Sequence, residues 1–175
     1  MADSVSYLKD LIREVADFPK PGIGFKDITT LLKDGKGLRT AVDAMLASFS
    51  DARIDLVAGI EARGFILAAP LAVELGCGFV PIRKAGKLPA PTICEEYELE
   101  YGNNAVEIHQ DAIRKGQRVL VVDDVLATGG TARATCQLLD RIGAQVVGLN
   151  FLVELEFLNG RQNLNGFRVE ALIRY

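Results

Sequence analysis

Cysteine is scarce in this 175-residue chain, and its pattern leads nowhere. Cys77, Cys94 and Cys136 are odd in number and widely spaced, with no Cys-x-x-Cys and no Cys/His ligand spacing. Neither a zinc site nor a disulfide framework is expected, and free thiols suit a reducing cytosol, so a cytoplasmic protein is expected. Histidine occurs once, at position 109, with no nucleophile or metal ligand accompanying it, and is read as a structural or surface residue. Excess positive charge is missing too. Lys and Arg number 20 against 23 Asp and Glu, a net charge of −3, which argues against broad nucleic-acid binding but not against a local basic cluster. No apolar run reaches eighteen residues, so no membrane-spanning segment is expected. Asp10, Arg13 and Glu14 stand where an export signal would need an unbroken apolar stretch, so none is expected. Internal repeats and low-complexity tracts are also lacking.

What is present is apolar material: 49% of the residues are hydrophobic. A chain of this length fits one domain, 1–175, able to bury a core without a staple. Val5, Leu8, Leu11, Ile12 and Val15 recur at helical spacing after a possible cap at Ser4, and Phe18-Pro19-Lys20-Pro21-Gly22 stops that helix. Leu38, Ala41, Val42, Met45, Leu46 and Phe49 form a second amphipathic stripe. Then short apolar runs alternate with helical stretches: 54–60, a helix to Leu75, 77–82, 118–123, a helix through Leu138, Leu139 and Ile142, and 145–153. This alternation predicts βαβ units and a mainly parallel sheet flanked by helices. Residues 83–104 are polar and aperiodic, which predicts a flap or disorder. A last run, 167–173, after the turn Asn159-Gly160, reads as an antiparallel addition to the sheet.

The most informative stretch is VLVVDDVLATGGTARA, 119–134. Four apolar residues run into Asp123 and Asp124, at the carboxyl end of an expected parallel strand, where ligands of such sheets sit. Ala127-Thr128-Gly129-Gly130-Thr131 follows, between strand and helix. Its glycines let amides point into a concave nest, the helix adds its positive end, and the threonines add hydroxyls. That composition suits a phosphate monoester. Neither G-x-x-x-x-G-K-[ST] nor G-x-G-x-x-G is present, which argues against nucleoside triphosphatases and dinucleotide enzymes. Carboxylates one short loop from a phosphate nest can accept hydrogen bonds from a vicinal diol, so the spacing suggests a ribose 5-phosphate.

VLVVDDVLATGGTA resembles the phosphoribosyl pyrophosphate motif of the type I phosphoribosyltransferases. FPKPGIGFKDIT at 18–29, GIEARGF at 59–65, IRKAGKLP at 82–89 and EEYELEYG at 95–102 are similar to the members of that family acting on adenine. The likeness runs over nearly the whole length. It implies a single-domain α/β fold of that type, with a base-binding hood at 1–33 and a flexible catalytic flap at 84–104. It also implies transfer of the 5-phosphoribosyl group to adenine, giving AMP and pyrophosphate in purine salvage. The functional unit would be a homodimer, and Mg²⁺ would be held mainly by substrate and water.

The resemblance also implies roles for residues. Asp123 and Asp124 would hold the ribose, and 127–131 the 5-phosphate. In GIEARGF the Glu61–Ala62 peptide would be cis and Arg63 would contact pyrophosphate. Arg83, Lys84 and Lys87 would neutralise the pyrophosphate charge, with Arg83 or a neighbour reaching the partner subunit's site. Glu100 would be the acid/base on adenine N7, with Tyr101 beside it at the closed flap. Phe25 would stack on the purine, and backbone groups near Ile23 and Lys26 would read its edge. Lys26 stands where arginine is common in such chains; lysine lacks the planar fork, which leaves backbone readout as the expected role.

Three other readings stay open. The chain could be a regulator that binds phosphoribosyl pyrophosphate without catalysis, although no DNA-binding module is evident. It could serve another base, such as hypoxanthine, guanine, xanthine or orotate. A receiver-like phosphoacceptor would place its acidic pair near the N-terminus, not beside a glycine-threonine nest.

Overall fold

The computed structural model describes residues 2–98 and 103–175; the sequence-derived candidates Glu100 and Tyr101 lie outside them. Along the chain run α1 (Ala2–Asp10), β1 (Arg13–Val15), β2 (Phe25–Asp27), α2 (Thr29–Leu32), α3 (Gly35–Ala47), β3 (Leu56–Ile60), α4 (Gly64–Glu74) and β4 (Gly78–Lys84). Then come β5 (Thr92–Glu98), β6 (Asn103–His109), β7 (Arg118–Leu126), α5 (Gly130–Arg141), β8 (Gln145–Glu154) and β9 (Val169–Arg174). Two 3₁₀ turns, Glu156–Leu158 and Gly160–Leu164, join β8 to β9.

Seven strands form one sheet in the order β5-β6-β4-β3-β7-β8-β9, and β1 pairs with β2 separately. β4, β3, β7, β8 and β9 are mutually parallel, whereas β6 runs antiparallel to β4 and β5. The expected type I phosphoribosyltransferase architecture is therefore present: a mixed, mostly parallel sheet flanked by helices, in one domain. Its strands read as unbroken apolar runs because both faces are covered. In β7, Leu120 and Val122 enter the core shared with α3 and α4, while Val119 and Val121 enter the core shared with α5. Each buried side chain of this size stabilises by about 1.5–3 kcal/mol.

Three expectations need correction. β9 is parallel to β8, not antiparallel. Asn159-Gly160 is no hairpin turn; it links the two 3₁₀ turns, with Asn159 left-handed at φ 52°. The intervening fourteen or so residues carry the chain back to the start of the sheet, as a parallel neighbour requires. Ser4 is not a cap, since α1 already begins at Ala2 and ends at Asp10, leaving Val15 to β1. Finally, β7 continues to Leu126, so Asp123 and Asp124 lie within the strand, with Asp123 opposite Phe151 and Val125 opposite Val153 of β8.

The polar stretch 83–104 also contains a regular strand. In β5, Ile93, Glu95 and Tyr97 are part-buried and Cys94 and Glu96 exposed, a period-two pattern obscured in the sequence by the adjacent glutamates. α3 starts at a proper cap: the Asp34 carboxylate accepts from the Gly37 amide at 2.6 Å and from the Tyr7 hydroxyl at 3.0 Å. Among the described residues, no helix is long and apolar enough to cross a membrane.

Candidate active site

Because β3, β4, β7 and β8 are parallel, their carboxyl ends open on the same side. Glu61 follows β3, Arg83 and Lys84 end β4, the acidic pair and the 127–131 turn end β7, and Leu155, Phe157 and Leu158 follow β8. Of these groups, all but Thr128, Gly129 and Gly130 line a cleft of about 780 Å³, together with Ile23, Phe25 and Lys26 from β2 and its approach. A recess of about 80 Å³ opens beside it, walled by residues 125–132 and Phe151. Asp123 borders both spaces.

The recess is made by the turn. Gly129 adopts φ 80°, a left-handed conformation that glycine enters without cost, immediately before the first residue of α5. Among the described residues, the amides of Thr128, Gly129, Gly130 and Thr131 meet no hydrogen-bond acceptor. They are thus free to receive an anion at the positive end of α5. The Thr131 hydroxyl donates to the Tyr97 hydroxyl of β5 at 3.0 Å, a contact between residues 34 apart in the chain.

The acidic pair is held at close quarters. Asp124 is buried, and its amide donates to Asp123 Oδ1 at 2.8 Å. Burial first, and then the neighbouring charge of Asp124, pushes the Asp123 carboxyl well above the ordinary carboxylate range. Gly64, the first residue of α4, makes this approach possible: a Cβ there would lie 2.7 Å from Asp123 Oδ1 and 3.0 Å from the Val122 carbonyl. Arg63 Nε reaches to 2.5 Å from Asp124 Oδ2, while its guanidinium sits 5.6 Å from the centre of the Phe25 ring. Arg63 therefore joins the acidic pair to the Phe25 side of the cleft.

Glu61 gathers the basic segment. The Glu61–Ala62 peptide is cis, as the resemblance implied. Its carboxylate accepts from Lys87 Nζ at 2.6 Å, from Arg83 Nε at 3.2 Å and from the Lys84 amide at 3.1 Å. Burial works to raise this carboxyl, but these donors outweigh it and hold the group at about 2. Glu107, also buried, accepts from the Lys87 and Leu88 amides at 2.9 Å each and so fixes the loop that carries Lys87.

At β2, Phe25 meets Phe18 edge-on, with ring centres 5.2 Å apart. The Lys26 ammonium is engaged away from the cleft, 2.8 Å from Glu14 Oε2 and 4.3 Å from the centre of the Tyr175 ring. The Lys26 side chain is thus already engaged. The sequence-derived candidates within 59–65 and 119–131 all meet here. Tyr97, Gly64 and the residues after β8 were missed, although the position of that last segment beyond a parallel strand's carboxyl end was a usable signal. His109 and the cysteines stay outside: Cys136 is buried, with its thiol pushed up to about 12 by that burial, and His109 Nε2 is buried without a partner among the described residues. Among the same residues no three His, Cys, Asp or Glu side chains converge as a metal cage.

Comparison with known proteins agrees with this geometry. The phosphoribosyl transferase domain family matches residues 29–161. An adenine phosphoribosyltransferase of Desulfitobacterium hafniense is 58% identical over 164 residues, covering 94% of this chain and 95% of the relative. The crystal structure of the adenine phosphoribosyltransferase of Thermoanaerobacter pseudethanolicus superposes with a TM-score of 0.95 at 50% identity, covering 98% of this chain and 99% of that one. That of Saccharomyces cerevisiae, solved with adenine and an imino-altritol bisphosphate, gives 0.93 at 38% identity over 99% and 100% of the two chains. With a family match across three quarters of its length and such relatives along nearly all of it, the chain belongs to the type I phosphoribosyltransferases, and within them to the adenine phosphoribosyltransferases.

Proposed function

We propose that the chain transfers the 5-phosphoribosyl group from phosphoribosyl pyrophosphate to adenine, giving AMP and pyrophosphate, as a cytoplasmic enzyme of purine salvage. One observation carries this reading: an amide cup, an acidic pair and an Arg63-bearing turn stand at the carboxyl ends of adjacent strands, around one cleft. The 5-phosphate sits on the amides of 127–131. The ribose hydroxyls face Asp123 and Asp124, of which Asp124 Oδ2 has acceptor capacity to offer. Adenine lies against Phe25, its edge read by the backbone near Ile23 and Lys26, with Leu155, Phe157 and Leu158 as the opposite wall.

Positioning two substrates in one cleft supplies much of the rate enhancement. As the bond from C1 to pyrophosphate breaks, negative charge grows on the leaving group, and Arg63, Arg83, Lys84 and Lys87 answer it. Glu100 is the candidate base that takes the proton from adenine N7 as N9 attacks C1, and Tyr101 is the candidate pyrophosphate contact; general base help of this kind contributes about 10²–10⁴-fold. Asp123 and Asp124 are acidic side chains that border the cleft, and they would hold Mg²⁺ through water, with substrate oxygens completing its shell. When bound, Mg²⁺ supplies neutralisation of the pyrophosphate charge.

The homodimer is supported by an apolar face beside the site. Ile66, Ala69 and Val73 line up along α4 at helical spacing and are exposed, Val73 at 79%, with exposed Phe79 on the adjacent β4. β4 leads from this face straight to Arg83. A second copy covering it would bring basic residues of both subunits close to each cleft.

The test is AMP formation from labelled adenine, phosphoribosyl pyrophosphate and magnesium, with hypoxanthine and guanine as competitors. Adenine is expected to be preferred, and Glu100→Gln to lower turnover about 10²-fold or more while AMP still binds. Tight binding of phosphoribosyl pyrophosphate without AMP formation would favour the regulator reading instead.

A further inference from the structure

The phosphate cup is shaped from outside. The 3₁₀ turn Gly160–Leu164 packs against the loop at 127–129, yet only its neighbours line the cleft. Gly160 touches the loop twice. A Cβ at residue 160 would run into the Ala127 carbonyl oxygen, and a Cβ at residue 129 would lie 2.5 Å from the Gly160 carbonyl oxygen. Three residues on, Asn163 Nδ2 donates to the Thr128 carbonyl oxygen at 2.7 Å.

Peptide geometry turns these contacts into an orientation. Among the described residues the only cis peptides are Phe18–Pro19 and Glu61–Ala62, so those at 127–128 and 128–129 are trans. In a planar trans peptide the C=O and the following N–H point in opposite directions. With the Ala127 carbonyl facing Gly160, the Thr128 amide faces away from the turn. With the Thr128 carbonyl held by Asn163, the Gly129 amide does the same. A loop with two consecutive glycines has little conformational preference of its own. A flip of the 128–129 peptide would present a carbonyl dipole, instead of a donor, to an anion.

The turn itself is anchored. Arg161 makes a two-pronged ion pair with the buried Glu154 carboxylate, at 2.6 and 2.8 Å, and its third nitrogen donates to the Val169 carbonyl at 2.8 Å. Leu164 is buried in the α5-side core. The turn is thereby tied to the ends of β8 and β9 before it meets the loop.

We infer that Asn163 and Gly160 are positioning residues that aim the Thr128 and Gly129 amides at the substrate's 5-phosphate. This rests on 127–131 being the phosphate site. Neither residue need touch substrate; their effect is preorganisation, which lowers the ordering cost of binding.

The test compares the wild-type chain with Asn163→Ala and Asn163→Asp, using ribose 5-phosphate and, separately, pyrophosphate with magnesium as calorimetric probes. Amide resonances of Thr128 and Gly129 are followed by NMR. In the wild type those two resonances are expected to move on addition of ribose 5-phosphate. Asn163→Ala should weaken ribose 5-phosphate about tenfold while pyrophosphate affinity stays within about twofold. Asn163→Asp, which has no donor for the Thr128 carbonyl and adds a negative charge, should weaken it further. Gly160→Ala should reproduce the selective loss. Equal ribose 5-phosphate affinity in Asn163→Ala, with the wild-type resonances moving, would overturn the positioning role alone. Equal loss for both probes would reduce it to general structural damage. Unmoved wild-type resonances would remove the phosphate cup itself, and this inference with it.

Discussion

Arg63 Nε stands 2.5 Å from Asp124 Oδ2, but without the alignment of a hydrogen bond, and that oxygen accepts none from any described residue. The carboxylate is compensated in charge and unsatisfied in direction. A buried acceptor in that condition costs stability unless a ligand completes it, and under the proposed function that ligand is a ribose hydroxyl.

Asp124→Asn should therefore act on catalysis more than on folding. Losing a hydrogen bond to a charged acceptor costs about 1.5–3 kcal/mol, so kcat/KM should fall about ten- to a hundredfold. Melting followed by circular dichroism should stay close to wild type. A large fall in melting temperature would mean that the Arg63–Asp124 pair is there for the fold.

Asp123 should behave in the opposite way in stability. Its carboxyl is raised by burial and by Asp124. The folded state thus keeps a proton that the unfolded chain has already released, and stability is lost as pH rises above the ordinary value of 3.8. Asn at this position keeps an acceptor for the Asp124 amide but has nothing to ionise. Asp123→Asn should be more stable than wild type at pH 7 in urea denaturation, with activity reduced. The gain should shrink as pH falls below about 4.

Glu61 gives the reverse sign. Held at about 2 against an ordinary 4.5, it contributes stability that is complete above 4.5 and lost as pH falls from there through about 2. Glu61→Gln should cost about 1–3 kcal/mol at pH 7, and the denaturation curves of variant and wild type should converge over that acid window. Curves that stay parallel from pH 6 to 3 would show that Arg83 and Lys87 do not act through this carboxylate.

These residues also show where sequence reading works and where it stops. Asp123, Asp124 and 127–131 were legible because one local stretch contains the strand, the charges and the turn that they need. Glu61 and Arg63 were placed by the GIEARGF motif, and the partnership of Glu61 with Lys87, 26 residues away, is a product of β3 lying beside β4. Tyr97 and Asn163 had no signal of their own: each matters through one long-range hydrogen bond, |i−j| of 34 and 35. The direction of β9 was misread because Asn159-Gly160 has hairpin composition, while the pairing of 149–154 with 169–174 is decided by core packing on both faces.

Tyr97 leads to the last prediction. Its hydroxyl accepts the Thr131 hydroxyl proton at 3.0 Å, and its ring lies against Gly130, 3.6 Å from where a Cβ would stand. β5 is thereby fastened to the amide cup proposed for the phosphate. A phosphate entering the cup competes for the same Thr131 proton, so the ligand must break this contact or share it. Tyr97→Phe keeps the ring packing and removes the competitor. A net hydrogen bond of about 0.5–1.5 kcal/mol corresponds to ribose 5-phosphate binding about two- to tenfold tighter. Calorimetry on the variant checks it, with Thr131→Val as the companion that should lose affinity. Weaker binding in Tyr97→Phe would mean that the phenol itself contacts the phosphate, making Tyr97 part of the cup and not its latch.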